Sequence, residues 1–190
     1  MASIRAGLYL LICSVAWGGT YIAIKAGLTE ISPAALLVYR MTGAALLFWI
    51  WSLPVASRLN RTLLYRGTIL GVLMYVSFGL QTVGLVYTSV SHSAFITGFF
   101  VVFTAIFSRT VLRRKLRPGA LPGVLLVTLG LYIFTGMERF SNFNTGDWLT
   151  LASAAGFGLH IALIDDYSRL EEEDLRLLIT LQLTVCAVIA

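Results

Sequence analysis

The sequence predicts an all-α polytopic membrane protein, built as one five-helix repeat followed by the start of an inverted second repeat. Three observations carry that expectation. The 190-residue chain is 58% hydrophobic and 12% charged, whereas soluble domains have roughly 45–50% apolar and about 25% charged residues. Its apolar residues gather into runs at 7–28, 34–55, 67–87, 93–112, 119–137 and 148–164, each near the ~17–25 residues that cross a bilayer as helix. A late segment also repeats the pattern of an early one.

These runs are continuous, while a transmembrane barrel strand alternates over about 10 residues, so helices are expected. Helices also satisfy their own backbone in lipid. The first run begins like a signal peptide, with Arg5, an apolar stretch at 8–15 and the small residues Ser14 and Ala16. It continues past Trp17 to Leu28, so an uncleaved first span is predicted. A seventh run, 177–190, reaches the C-terminus with no polar flank. The chain is therefore expected to stop inside a helix.

Charge orders the loops. Arg58, Arg61 and Arg66 lie between the second and third runs, and Arg109, Arg113, Arg114, Lys115 and Arg117 between the fourth and fifth. The opposite side carries Lys25, Glu30, Glu138, Arg139 and Asp147. The positive-inside rule then puts the N-terminus in the cytoplasm of a plasma or bacterial inner membrane. The acidic run "DDYSRLEEEDLR" would share that side as a solvated loop. The net charge of +5 has a topological meaning here, so no nucleic-acid partner is expected.

The repeat is read from "SVAWGGTYIAI" at 14–24 against "AAGFGLHIALI" at 154–164, which matches Trp17 with Phe157, Gly18 with Gly158 and Thr20 with His160. Allowing two extra loop residues, "VYRMTGAAL" matches "TLQLTVCAV" and sets Gln182 opposite Arg40. A repeat of five helices makes the second copy enter from the other face, as in many secondary transporters. The domains are thus residues 1–140 and 141–190.

"AWGGTYIAIK", "SPAALLVYRMTGAALL", "GLVYTSVSHSAFITGFFVVFTAIFSRTVLRRKLRP", "GVLLVTLGLYIFTG" and "GDWLTLASAAGFGLHIAL" stand in an order and spacing that resembles the drug/metabolite transporter superfamily, in particular its EamA-type ten-helix members. The resemblance covers nearly the whole chain. It implies alternating access between inverted repeats and the movement, often export, of small polar metabolites such as amino acids or drugs. The family's fourth-helix proline and its nearby glutamate are missing from 94–117, and the second repeat is incomplete. A second reading is accordingly an incomplete, non-transporting membrane fragment or assembly partner. A self-associating pair of chains like the small multidrug resistance proteins fits less well, because those carry a carboxylate in the first helix and none precedes Glu30 here.

Candidate substrate-binding residues follow from polarity inside apolar runs. Arg40 lies about two turns into the second run; an intramembrane cation faces protein, water or headgroups, so it either lines the central cavity or snorkels outward. Gln81 needs a partner helix, water or ligand. Trp17 and Thr20 flank Gly18 and Gly19, whose missing side chains permit close approach, as at Gly67 with Gly71 and Gly119 with Gly123. His160 is a proton relay or a neutral helix contact. Tyr87, Ser91 and His92 sit at the junction of the third and fourth runs, where Ser89, Ser91 or Ser93 can cap the next helix. Lys25 and Arg109, near run ends, are expected to snorkel.

Enzyme readings find little support. Ser91 and His92 are sequence neighbours without an orienting third group, and no G-x-S-x-G elbow occurs. Asp165 and Asp166 lack a third ligand, and Cys13 and Cys186 are expected to be packing residues rather than a disulfide or metal pair. No cofactor is predicted; the expected partners are the lipid bilayer and a small-molecule substrate.

Overall fold

A computed structural model describes residues 2–115, 119–135, 143–167 and 172–190. Arg117, Glu138, Arg139 and the stretch 168–171 of the acidic run lie outside the described residues, as does the side chain of Arg5. The chain forms α1 (Ala2–Gly27), α2 (Pro33–Ser52), a 3-10 turn (Leu53–Arg58), α3 (Arg61–Tyr87), α4 (Val90–Thr97), α5 (Phe100–Thr110), α6 (Ala120–Thr135), α7 (Thr145–Tyr167) and α8 (Glu172–Ile189). The described residues contain helices and no strands.

Local chemistry sets the starts. Ser32 accepts from Ala35 N at 3.2 Å and Pro33 occupies the first turn of α2, where a missing N–H costs nothing. Asn60 Oδ1 accepts from Leu63 N at 2.9 Å to start α3, and Ser89 Oγ accepts from His92 N at 3.1 Å to start α4. At α7, Asn144 Oδ1 accepts from Asp147 N at 3.0 Å while Asp147 Oδ2 accepts from Asn144 N at 3.1 Å. That reciprocal pair is a capping box.

Five segments are long and apolar enough to cross a membrane: Gly7–Gly27, Pro33–Arg58, Arg61–Tyr87, Val90–Thr110 and Thr145–Tyr167. Of the expected fifth span, the described part is α6, 16 residues or about 24 Å at 1.5 Å per residue, and residues 136 and 137 lie outside the described residues. The fourth span is interrupted, since Gly98 and Phe99 separate α4 from α5.

Helix α3 is the centre of the bundle and packs mainly on α7 and α8; α2 packs on α8, α5 on α7, and α1 makes light contact. Leu37, Met41, Ala45, Leu183 and Cys186 form one core cluster, and Leu63, Leu70, Leu177, Leu178 and Leu181 another. Small residues allow the crossings. A Cβ on Gly84 would lie 2.9 Å from Gly146 O, and one on Gly158 would lie 2.5 Å from Phe103 Cβ and 2.9 Å from Thr104 N.

The predicted contacts of Gly67 and Gly71 are present, with Leu181 Cβ and Val185 Cβ each 2.6 Å from the added carbon. Those expected at Gly18, Gly19, Gly119 and Gly123 are not seen: among the described residues nothing lies within 4 Å. Cys186 is buried as expected, but Cys13 is exposed rather than packed, because its helix is so lightly covered.

Arg113 closes α5 with φ 53, and Arg114 N donates back to Ser108 O at 3.0 Å. A side chain in that left-handed region costs ~1–2 kcal/mol, partly offset for glycine by its freer unfolded chain. Arg113→Gly is therefore expected to stabilise the protein by about 0.5 kcal/mol, read from thermal unfolding in detergent.

Candidate functional site

Polar and aromatic side chains converge between the helices. Helix α1 turns Tyr21 inward at 5% exposure, and Gln81 Nε2 on α3 donates to Tyr21 Oη at 2.9 Å and to Thr97 Oγ1 at 3.1 Å. Thr97 Oγ1 in turn donates to Ser93 O at 2.7 Å. Gln81 is thus satisfied by neighbouring helices, the glue role considered for it. Ser93 Oγ, one turn away on α4, is buried with no hydrogen-bond partner.

An aromatic row runs beside this network. Trp17 stacks on Phe100 with centroids 5.7 Å apart and meets Phe157 edge-on at 6.5 Å; Phe157 meets Phe78 edge-on at 4.8 Å. Trp17 and Phe157, the pair that the sequence alignment of 14–24 with 154–164 matches, touch here. Arg40 ends the row, its guanidinium 5.0 Å from the Phe78 centroid. It faces protein, with Tyr21 and Cys186 as the titratable groups that interact with it electrostatically. Its Nη1 is buried and makes no hydrogen bond.

His160, 6% exposed, shares a hydrogen bond with Gln182 at 2.8 Å between Nε2 and Oε1. One turn before it on α7 stands Phe157, and one turn after Gln182 on α8 stands Cys186. Thr20 does not join the network by its hydroxyl, which donates to Trp17 O at 2.6 Å within α1.

Tyr87, Ser91 and His92 lie apart, at the end where α3 meets α4. Tyr87 is 59% exposed, and Ser91 is exposed at the second position of α4, the cap being Ser89. His92 Nδ1 is 3.5 Å from Asp147 Oδ1, an ion pair when the imidazole is protonated. Asp147, 1% exposed, also accepts from Thr88 Oγ1 at 2.5 Å. Lys25 sits at the same end and corrects the snorkelling expectation: Nζ donates to Leu85 O at 2.5 Å and Thr88 O at 3.0 Å. An ammonium against the last carbonyls of a helix complements its dipole, so protein oxygens hold it instead of headgroups.

The other end of α7 is held too. Arg114 Nη1 and Nη2 each bind one carboxylate, Asp165 and Asp166, at 2.5 Å. Both acids are solvent-exposed as expected but belong to the last turn of α7 rather than to a loop. Arg66 covers the Tyr167 ring at 4.7 Å. Because the end of α1 and the start of α7 both meet the α3–α4 junction, α7 runs antiparallel to α1. Among the described residues no cluster of His, Cys, Asp or Glu is arranged to hold a metal ion.

Sequence reasoning did not select Tyr21, Phe78, Thr97 or Asp147 as site residues. Hydrogen bonds link Tyr21 and Asp147 to partners 59 or 60 positions away, beyond any local pattern. Asp147 alone had a legible signal, standing three residues after Asn144 at a helix start.

Comparison with known proteins agrees with this architecture. Residues 4–136 match the model of the EamA-like transporter family. The chain is 35% identical over 165 residues to an "Uncharacterized transporter" of Archaeoglobus fulgidus, covering 87% of this chain and 50% of that protein. It is 34% identical over 112 residues to "Purine permease 21" of Arabidopsis thaliana, covering 55% of this chain and 28% of the relative. The chain spans half or less of the length of these curated relatives. No solved structure matches. With its apolar spans and a family match over most of its length, this integral multi-pass membrane protein belongs to the EamA-like transporter family.

Proposed function

We propose that the protein is a secondary transporter that exports a small polar metabolite, an amino acid or drug among them, by alternating access. Residues 1–140 supply the first repeat and 141–190 open the inverted second one. The observation that carries this reading is the double fastening of α7, which runs antiparallel to α1 and is tied to the first repeat at both ends with the polar and aromatic cluster between. Thr88, His92 and Asp147 fasten one end; Arg114, Asp165 and Asp166 fasten the other.

Transport needs two discrete arrangements of packed elements rather than gradual deformation. Releasing one fastening while keeping the other opens the cluster to one side only. By the positive-inside rule the Arg114 end and the N-terminus are cytoplasmic, and an ion or substrate gradient drives the cycle. The name of the plant relative adds purines to the solutes worth testing.

Cys186, buried within the cluster, reports the two states. In a Cys13→Ser background, Asp147→Asn is expected to raise several-fold the rate at which a water-soluble thiol reagent modifies Cys186, and Arg114→Gln to lower it. Equal rates in the two variants would contradict alternating access.

A further inference from the structure

We propose that Arg40 makes the cluster an oxyanion site, so that the preferred solute is a small organic anion with an apolar body. The inference deepens the transporter reading and rests on it for its physiological meaning, although the binding chemistry stands by itself. Arg40 lies in the eighth position of α2, about 10 Å along the helix from its start, inside an apolar span. An uncompensated cation there is costly, and the residues around it do not compensate it.

Arg40 forms no ion pair and no hydrogen bond among the described residues; its Nη1 is buried and unsatisfied, and its attractive partners in that set are the Phe78 face and the electrostatic fields of Cys186 and Tyr21. The buried acid Asp147 is already engaged by Thr88, Asn144 and His92. A guanidinium presents a planar fork that matches a carboxylate through two parallel N–H···O bonds. A monocarboxylate would therefore supply the missing charge and the missing acceptor together.

The row Phe78, Phe157, Trp17 and Phe100 leads away from the guanidinium. It offers apolar faces to the body of such a molecule and provides no carboxylate for a second, cationic group. The row ends at Trp17, 38% exposed, beside the open surface of Gly18 and Gly19. A neutral analogue would leave the Arg40 charge unanswered, and a cation would add to it.

The test uses three ligands of similar shape, phenylacetate, 2-phenylacetamide and phenethylamine, with binding to the detergent-solubilised protein read by equilibrium dialysis. Phenylacetate is expected to bind at least about tenfold more tightly than either analogue at concentrations up to the order of 10 mM. Arg40→Gln should erase the preference, and Arg40→Lys should keep its sign with reduced strength, since an ammonium lacks the fork. Equal binding of the three, no binding of phenylacetate, or an intact preference in Arg40→Gln would overturn the proposal. If Arg40→Gln fails to fold, the native protein's ranking of the three ligands decides by itself. Flux in vesicles separates the two readings: anion binding without flux removes transport and keeps the site, whereas flux of phenethylamine alone keeps transport and removes the site.

Discussion

Gly158→Ala is expected to destabilise the protein by about 3 kcal/mol, whereas Gly18→Ala, at the position the sequence alignment matches to it, stabilises it by ~0.5–1 kcal/mol. The two glycines align when 14–24 is set against 154–164, yet their surroundings are opposite. At Gly158 the added methyl would lie 2.5 Å from Phe103 Cβ and 2.9 Å from both Phe103 C and Thr104 N. Two of those atoms are backbone, so α5 and α7 must separate rather than a side chain swing away. At Gly18 nothing lies within 4 Å, and alanine gains only the helix-forming advantage of a smaller entropy loss. Thermal unfolding of both variants in one detergent measures the difference. Equal shifts would mean that the α5–α7 crossing is looser than described.

Asp147→Ala is expected to cost about 3 kcal/mol. The carboxylate accepts from Thr88 Oγ1 and Asn144 N and lies near His92, all while 1% exposed. Removing it forfeits the reciprocal cap of α7, typically worth ~1 kcal/mol, and hydrogen bonds to a charged acceptor worth ~1.5–3 kcal/mol. It also leaves the Thr88 hydroxyl buried without an acceptor. Asp147→Asn keeps the shape and one acceptor oxygen, so its loss should be smaller. Unfolding followed by circular dichroism gives both values, and an unchanged midpoint in Asp147→Ala would refute the fastening at this end.

The bundle was largely legible in the sequence because apolar runs of spanning length have few alternatives in a bilayer. What run length did not reveal is the break of the fourth span at Gly98 and Phe99, within a segment still long enough to cross. The glue role of Gln81 followed from the cost of polarity in lipid, whereas that cost left Arg40 open between an inward and a snorkelling placement. The fastenings did not, because Arg114 reaches Asp165 and Asp166 only after α5 and α7 have packed. The same reason explains Gly18: a small residue permits close approach, but only the tertiary path decides whether a neighbour arrives.

Solute flux across a defined bilayer tests the transporter reading most directly. The purified protein in liposomes, offered labelled organic anions, amino acids and purines in turn, is predicted to carry at least one of them. Its flux should saturate with concentration, exceed that of protein-free vesicles, and fall in Asp147→Asn and in Arg114→Gln alike, because a cycle needs both fastenings. Flux equal to that of empty vesicles for every solute would contradict it.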